Sequence, residues 1–312
     1  MDFVLLLPGQ GSQKVGMGKD LYDAFPAARD AFHTVDDAVD CALSTLAFEG
    51  PSEELTRTHN AQPALLAHSA ATWAVVHDAV GPSLRAAAGH SLGEFSAYHL
   101  AGALNLADAA RVVRRRGTLM YEQGVLRPGA MAAVIGALTV PIDDICARAT
   151  TESAMVVAAN YNSEEQVVIS GEVAGVERAM QLAKEAGARR CLPLPVSGAF
   201  HSPLMEPATD GLAAALDAVT FSAPRVPVYA NVNAEPVTSA LHARSLLVRQ
   251  LTSPVRWTQV MRRMADSYPD ATFIEIGTGN VLSGLARRIA PQVKVATCGT
   301  IADLEKLFHM AR

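Results

Sequence analysis

The sequence predicts an α/β fold: a large domain on a mostly parallel, helix-covered sheet, interrupted by a smaller ferredoxin-like unit. Three observations predict it. Short apolar runs of strand length alternate with Ala-rich segments of helical spacing along most of the chain. Between residues 130 and 197 the order becomes strand, helix, strand, strand, helix, strand, the βαββαβ rhythm of a ferredoxin-like unit. The 312 residues are 50% hydrophobic but only 5% aromatic, enough Ala, Val, Leu, Ile and Met for a sizeable core and more chain than one average domain uses. The division read from this pattern is a large domain of residues 1–127 and 198–312, with residues 128–197 as the small insert.

Phe3 to Leu7 is a buried strand ended by Pro8-Gly9, and Gly9, Gly11, Gly16 and Gly18 mark the next stretch as a glycine-rich loop. Residues 20–48 and 62–80 are helices with connecting loops, broken mainly where Pro51 and Pro63 stand. Ala86 to Ala88 form a short strand leading into Gly89-His90-Ser91-Leu92-Gly93-Glu94, and Phe95–Leu104 and Asn105–Met120 are helical. In the insert, strands at Ala130–Ile135, Met155–Ala159, Gln166–Ser170 and Arg190–Val196 surround helices at Ile142–Thr150 and Val173–Ala186, the latter closed by Gly187. Pro207–Val219 is then a helix and Val226–Ala230 a strand. Helices come next at Ser239–Leu251 and Trp257–Ser267, then a strand at Thr272–Ile276, a helix at Val281–Ile289, a strand at Val293–Ala296 and a terminal helix at Ile301–His309. Such short, wholly apolar strands belong to a sheet covered on both faces.

Charge and composition exclude several classes. With 26 Lys+Arg against 31 Asp+Glu, the net charge of -5 lacks the basic surplus of a nucleic-acid binder. The cysteines, Cys41, Cys146, Cys191 and Cys298, form neither a metal-binding pair nor a disulfide framework, which predicts a reducing, cytoplasmic setting. No basic leader precedes the first apolar run, and no uncharged apolar stretch reaches the ~18–20 residues that cross a bilayer. A soluble protein with no membrane attachment is expected.

Gly89-x-Ser91-x-Gly93 has the pattern of a nucleophile elbow, in which a serine sits on a tight strand-to-helix turn whose neighbours must be small. Serine needs a base to take its proton, and nine histidines are present. His90 is adjacent but is expected to point away and serve packing or the turn. His201 stands past a strand end in a loop constrained by Pro203; a catalytic base and a surface or capping histidine are equally open readings of it. The loop Gly9-Gln10-Gly11-Ser12-Gln13 lacks the spacing of either nucleotide fingerprint, and its main-chain N–H groups fit an oxyanion equally well. No HExxH or paired-cysteine spacing suggests a metal. Arg111, Arg114 and Arg115 share one broad helix face, read as solvated surface. Arg116 lies on another face, where an inward guanidinium requires a carboxylate partner and suits a bidentate clamp.

Taken together, these blocks resemble the malonyl-CoA:acyl carrier protein transacylases of fatty-acid and polyketide synthesis, over essentially the whole chain. The resemblance is carried by Leu7-Pro8-Gly9-Gln10-Gly11-Ser12-Gln13, Gly89-His90-Ser91-Leu92-Gly93-Glu94, Arg116-Gly117, Asn160-Tyr161-Asn162-Ser163, Gln166 to Gly171, Gly198-Ala199-Phe200-His201-Ser202, Asn231 and Asn233, Gln250-Leu251, and Pro254-Val255-Arg256-Trp257. It implies a large α/β-hydrolase-like domain and a small ferredoxin-like domain with the active site between them. It also implies Ser91 as the acylated nucleophile, His201 as general base oriented by the main-chain carbonyl of Gln250, the N–H groups of Gln10 and Leu92 as oxyanion hole, and Arg116 as clamp on the malonyl carboxylate. Asn162 and Gln250 become pocket residues. Phe200 before His201 resembles the malonyl-using pattern more than the methylmalonyl-using one. The block Ile276-Gly277-Thr278-Gly279-Asn280-Val281-Leu282 departs from the family, many of whose members carry Gly-Pro-Gly followed by a basic residue.

The implied reaction is a ping-pong transfer from malonyl-CoA to the phosphopantetheine thiol of acyl carrier protein through a malonyl-serine ester, with no metal or redox cofactor and a monomer as the family's default. Lys14, Lys19, Arg189, Arg190, Arg287 and Arg288 are candidates for a basic rim that steers an acidic carrier. The rival reading, a serine or acyl-thioester hydrolase, requires an acid behind the histidine, a part open to Asp108, Asp143 and Asp144.

Overall fold

A computed structural model describes residues 1–196 and 198–310; Ser197, the last residue of the expected insert, lies outside the described residues. Strand β1 (Phe3–Leu7) is buried at every position and is followed by α1 (Lys19–Ala24), α2 (Pro26–Val39), α3 (Leu43–Glu49), α4 (Ser52–Thr56) and the long α5 (Thr58–Val80). Next come β2 (Leu84–Gly89), α6 (Gly93–Leu100) and α7 (Leu106–Leu126). The small sheet is built from β3 (Ala130–Ile135), α8 (Ile142–Ala149), β4 (Val156–Ser163), β5 (Gln166–Gly171), α9 (Val173–Glu185) and β6 (Arg190–Pro193). A 3-10 turn (Pro203–Ala208) runs into α10 (Thr209–Asp217), followed by β7 (Val228–Tyr229), β8 (Pro236–Val237), α11 (Ala240–Arg249), α12 (Trp257–Ser267), β9 (Thr272–Ile276), α13 (Val281–Ile289), β10 (Lys294–Cys298) and α14 (Ile301–Met310).

The large sheet has the order β10-β9-β1-β2-β7-β8, parallel throughout except for the β7–β8 pair. The small sheet, β4-β5-β3-β6, is antiparallel and has the ferredoxin-like order. β1 and β2 are neighbours, so the loops leaving their carboxyl ends, Pro8–Gln13 and His90–Leu92, lie side by side where an open parallel sheet places its ligands. The small sheet is tied at β4 to the segment leading into α12. The Tyr161 N–H donates to Val255 O at 2.9 Å and the Val255 N–H to Ala159 O at 2.8 Å, while the Thr258 hydroxyl donates to Tyr161 O at 2.9 Å. This covers one edge of the small sheet.

Several boundaries differ from those expected. Pro63 does not end a helix; it stands inside α5, whose first turns are held by packing against α7. A proline there removes the N–H that would bond the His59 carbonyl. Arg114 supplies the replacement, donating from Nη1 to His59 O at 2.7 Å and to Asn60 Oδ1 at 2.6 Å. Arg114 is thus a half-buried structural residue, not solvated surface, whereas Arg111 and Arg115 are exposed. Helix α6 stops at Leu100 rather than 104. Helix α7, capped by the Asn105 side chain on the Asp108 N–H at 2.8 Å, continues six residues past Met120. The expected helix over 207–219 is divided because Pro203 and Pro207 favour a 3-10 turn before α10, and the two-residue strand β8 has no counterpart in the sequence pattern. Among the described residues no helix is long and apolar enough to cross a membrane.

Candidate active site

A cleft of about 270 Å³ opens between the two sheets, and the Gly9–Gln13 loop, His90, Ser91, Asn162, Phe200 and His201 all line it. Ser91 reaches it because β2 turns abruptly into α6. The Ser91 backbone is in the left-handed region at φ 53°, a strained state that the surroundings enforce. Both flanking glycines are sterically required. A Cβ on Gly89 would meet the Gly93 backbone at 1.9 Å, and one on Gly93 would meet Leu7 O at 2.1 Å. Asn231 locks the turn, accepting from the Ser91 N–H at 2.7 Å and donating to Gly89 O at 2.7 Å.

His201 enters from the loop beyond the small sheet, at φ 56° and 4% exposed. Its Nε2 lies 2.7 Å from Ser91 Oγ, and its Nδ1 lies 2.9 Å from the main-chain oxygen of Gln250. A carbonyl can only accept, so Nδ1 carries the hydrogen and Nε2 presents its lone pair to the serine O–H. Burial, reinforced by the nearby Arg116 charge, pushes the imidazole pKa down to about 3. Among the described residues no carboxylate stands behind this histidine, whose Nδ1 partner is the Gln250 carbonyl. Asp108 is paired with Arg111 and accepts from Asn105 Nδ2, Asp143 accepts from the Tyr161 hydroxyl at 2.6 Å, and Asp144 is on the exposed side of α8.

Arg116 reaches the same serine from below. Gly117 lets α7 approach α5 closely, since a Cβ there would stand 2.7 Å from His59 Cα. Arg116 is 1% exposed. Its Nη1 donates to Gln62 Oε1 at 2.7 Å, and its Nη2 to Ser91 Oγ at 3.1 Å and to Gln250 Oε1 at 2.9 Å. The Phe95 ring lies 5.4 Å from the guanidinium carbon. Burial lowers the Arg116 pKa to about 10, which leaves it charged at neutral pH.

Two main-chain donors complete the arrangement. Neither the Gln10 nor the Leu92 N–H has an acceptor among the described residues, and Leu92 stands at the N-cap position of α6, where the helix dipole is positive. His90 does not merely pack away from Ser91. Its ring rests on Trp257 at 5.6 Å between centroids, while Nε2 donates to Asn162 Oδ1 at 2.8 Å, linking the elbow to β4 across the cleft. Among the described residues no three His, Cys, Asp or Glu side chains gather as a metal site would need.

All the residues singled out from sequence, Gln10, Ser91, Leu92, Arg116, Asn162, Phe200, His201 and Gln250, therefore converge here. Three more join them that sequence reasoning assigns no part: Gln62, Asn231 and Glu94. Gln62 is a fully buried amide in an otherwise apolar stretch, Ala61 to Ala67, and that contrast is the signal it carries in the sequence. Of the basic rim, Lys19 is occupied by Asp23 at 3.0 Å, while Arg189 and Arg288 line a second cavity that shares Gln166 with the first. Thr278, in the block that departs from the family pattern, donates to Ser12 O at 3.4 Å and ties two loops at the mouth.

The acyl transferase domain model matches residues 4–302. The chain belongs to this family. Within it, the chain is 45% identical over 289 residues to a malonyl CoA-acyl carrier protein transacylase of Bacillus subtilis, covering 93% of this chain and 90% of that one. It is 44% identical over 287 residues to the protein of that name in Escherichia coli, covering 92% of each. A crystal structure of an acyl-carrier-protein-S-malonyltransferase from Bartonella henselae superposes with a TM-score of 0.93 at 43% identity, covering 100% of this chain and 99% of that one. The acyl transferase family thus supplies the same pairing of a large, mostly parallel sheet with a ferredoxin-like insert.

Proposed function

We propose that this acyl transferase moves a malonyl group from malonyl-CoA to the phosphopantetheine thiol of acyl carrier protein through a malonyl ester on Ser91. The observation that carries this reading is the meeting at one oxygen of a neutral base and a buried cation: Ser91 Oγ is 2.7 Å from His201 Nε2 and 3.1 Å from Arg116 Nη2. His201 takes the Ser91 proton as Oγ attacks the thioester carbonyl, and the N–H groups of Gln10 and Leu92 receive the oxyanion. Collapse expels CoA as its thiol, the proton returning from His201 Nε2. The carrier thiol then attacks the ester with the same base. Arg116 pairs with the free carboxylate of the malonyl group, exchanging neutral amide and hydroxyl acceptors for an anion. Phe200 and Asn162 shape the acyl end of the cleft.

Further support comes from a solved malonyl-transacylase in complex with its acyl carrier protein, 41% identical with a TM-score of 0.94 over 99% of this chain and 100% of that one. Arg189, Arg190, Arg287 and Arg288 are exposed and suited to an acidic carrier. Reversing Arg288 to Glu is expected to weaken transfer to carrier while sparing malonyl-Ser91 formation; an equal loss in both steps would count against steering. The four free cysteines favour a cytoplasmic setting, and the chain is read as two domains divided near residues 127 and 197. The decisive experiment is intact mass spectrometry after mixing with malonyl-CoA and then with carrier. Transfer requires a malonyl adduct that is absent from Ser91→Ala and passes to the carrier; an adduct lost to water alone would favour the hydrolase.

A further inference from the structure

The transfer mechanism leaves the buried acid beneath the elbow without a part. Glu94, in the first turn of α6, is 0% exposed and lies directly beneath the elbow. Its Oε2 accepts from the Asn231 main-chain N–H at 3.0 Å and from Gln250 Nε2 at 2.7 Å. Its Oε1 is buried with no hydrogen-bond partner among the described residues. The Gln250 amide is held between opposite charges, its oxygen receiving Arg116 Nη2 at 2.9 Å and its nitrogen donating to Glu94. Arg116 and Glu94 are therefore a cation and an acid separated by a single polarised amide, in a region from which water is excluded.

We infer that Glu94 is the resident counter-charge of Arg116 and takes up a proton when the carboxylate of a dicarboxylic acyl group arrives at that guanidinium. The inference rests on the malonyl-transfer reading and deepens it. In the empty site the cation is balanced by Glu94 through Gln250. A substrate carboxylate adds a second anion to the same cation, and the site then holds one positive and two negative charges at low dielectric. The cheapest relief is to neutralise the acid that has an unsatisfied oxygen, and Oε1 is the atom left to hold the hydrogen. The loading reaction itself is proton-neutral: the serine O–H hydrogen ends on the CoA thiol. Any proton taken from solvent is thus additional to it.

The groups that face Glu94 leave it as the one that titrates. From its own helix comes Tyr98, whose phenol is buried and pushed well above its ordinary range by burial and by Glu94 itself. From α7 comes Arg116, from the loop after β7 Asn231, and from the end of α11 Gln250. His201 and His90, above the elbow, are both held neutral by burial. Burial places the Glu94 carboxyl at about 7, against the hydrogen bonds of Asn231 and Gln250 and the charge of Arg116, all of which favour the ionised form. A second anion near Arg116 raises it further, and each unit of rise corresponds to a tenfold preference for the protonated form.

The test uses the first half-reaction of the whole enzyme, followed as acyl-Ser91 formation by quenched intact mass from about pH 6 to about pH 8.5. Malonyl-CoA loading is expected to lose about tenfold in kcat/KM across this range, whereas acetyl-CoA loading, which shares the titrating phosphates but lacks the free carboxylate, stays level. Glu94→Gln, which keeps the shape and an acceptor oxygen, is expected to flatten the malonyl profile. Independently of any variant, wild-type enzyme mixed with malonyl-CoA in weak buffer near pH 7 should withdraw a fraction of a proton per site, read with an indicator dye, and acetyl-CoA should withdraw none. Parallel malonyl and acetyl profiles with no proton uptake would overturn the inference while leaving the transferase intact. Absence of any malonyl-Ser91 would overturn both.

Discussion

At the scale of single residues, the site is organised by what burial does to charge. His201 is kept neutral because water cannot reach an imidazolium there and Arg116 repels it, so as the proposed base it need not first lose a proton. Removing the guanidinium has two separable effects. Arg116→Ala is expected to reduce malonyl loading by about 10²-fold relative to acetyl loading, the worth of about two charge-assisted hydrogen bonds. It should also raise the His201 pKa and move the acid limb of the acetyl-loading pH profile upward. Equal losses for both acyl groups, with an unmoved limb, would dismiss the clamp. Ser91 stands out in the sequence through its elbow and Arg116 through its inward helix face, while His201 stands out only through the family resemblance. Glu94, within the same elbow block, does not, since nothing local announces that its carboxylate turns inward to meet Gln250, 156 residues away. The same holds for His90, whose hydrogen-bond partner comes from the opposite sheet.

At the scale of elements, two contacts decide whether the site can assemble. Gly93→Ala would drive a Cβ against Leu7 O on the rigid central strand, and a cost of about 2–4 kcal/mol is expected in denaturant unfolding, with loss of acylation as the elbow widens. The second is the proline in α5. Arg114→Met should cost about 1–2 kcal/mol, because the His59 carbonyl loses its donor. In a Pro63→Ala background, where the helix recovers its own N–H, the same change should cost less than half as much. An additive double-mutant cycle would show that the two residues are not coupled. Sequence patterning locates nearly every helix and strand but places ends poorly where a distant side chain decides them. Pro63 reads locally as a breaker, and only the arginine from α7 makes it tolerable. The strand β8 spans two residues, too short for any periodicity to reveal.

At the scale of the whole molecule, the buried titratable groups set an acid limit on stability. His201 and His68 have folded pKa values lowered by burial to about 3 and about 4 from 6.5. Unfolded, both bind protons below about pH 6.5; folded, they do not, so each contributes stability above that pH that is lost on acidification toward the folded value. Glu94 acts in the opposite sense. Its folded value of about 7 lies above the ordinary 4.5, so the stability it lends is complete below 4.5 and is lost as pH rises through about 7. Two histidines outweigh one glutamate between about pH 6.5 and 4.5. The melting temperature should therefore be highest near neutrality and fall through that window, less steeply in His68→Gln. A melting temperature that rises on acidification to pH 5 would contradict this balance.

The suppressed basicity of His201 also bears on how long an acyl ester survives. So weak a base removes a tightly held hydrogen only where a fixed cation steadies the oxygen left behind, as Arg116 Nη2 stands 3.1 Å from Ser91 Oγ; a thiol, more acidic by several powers of ten, needs no such help, and water arriving at the ester has none. The ester thereby selects its acceptor by acidity, and a hydrated cleft need not be a leaky one.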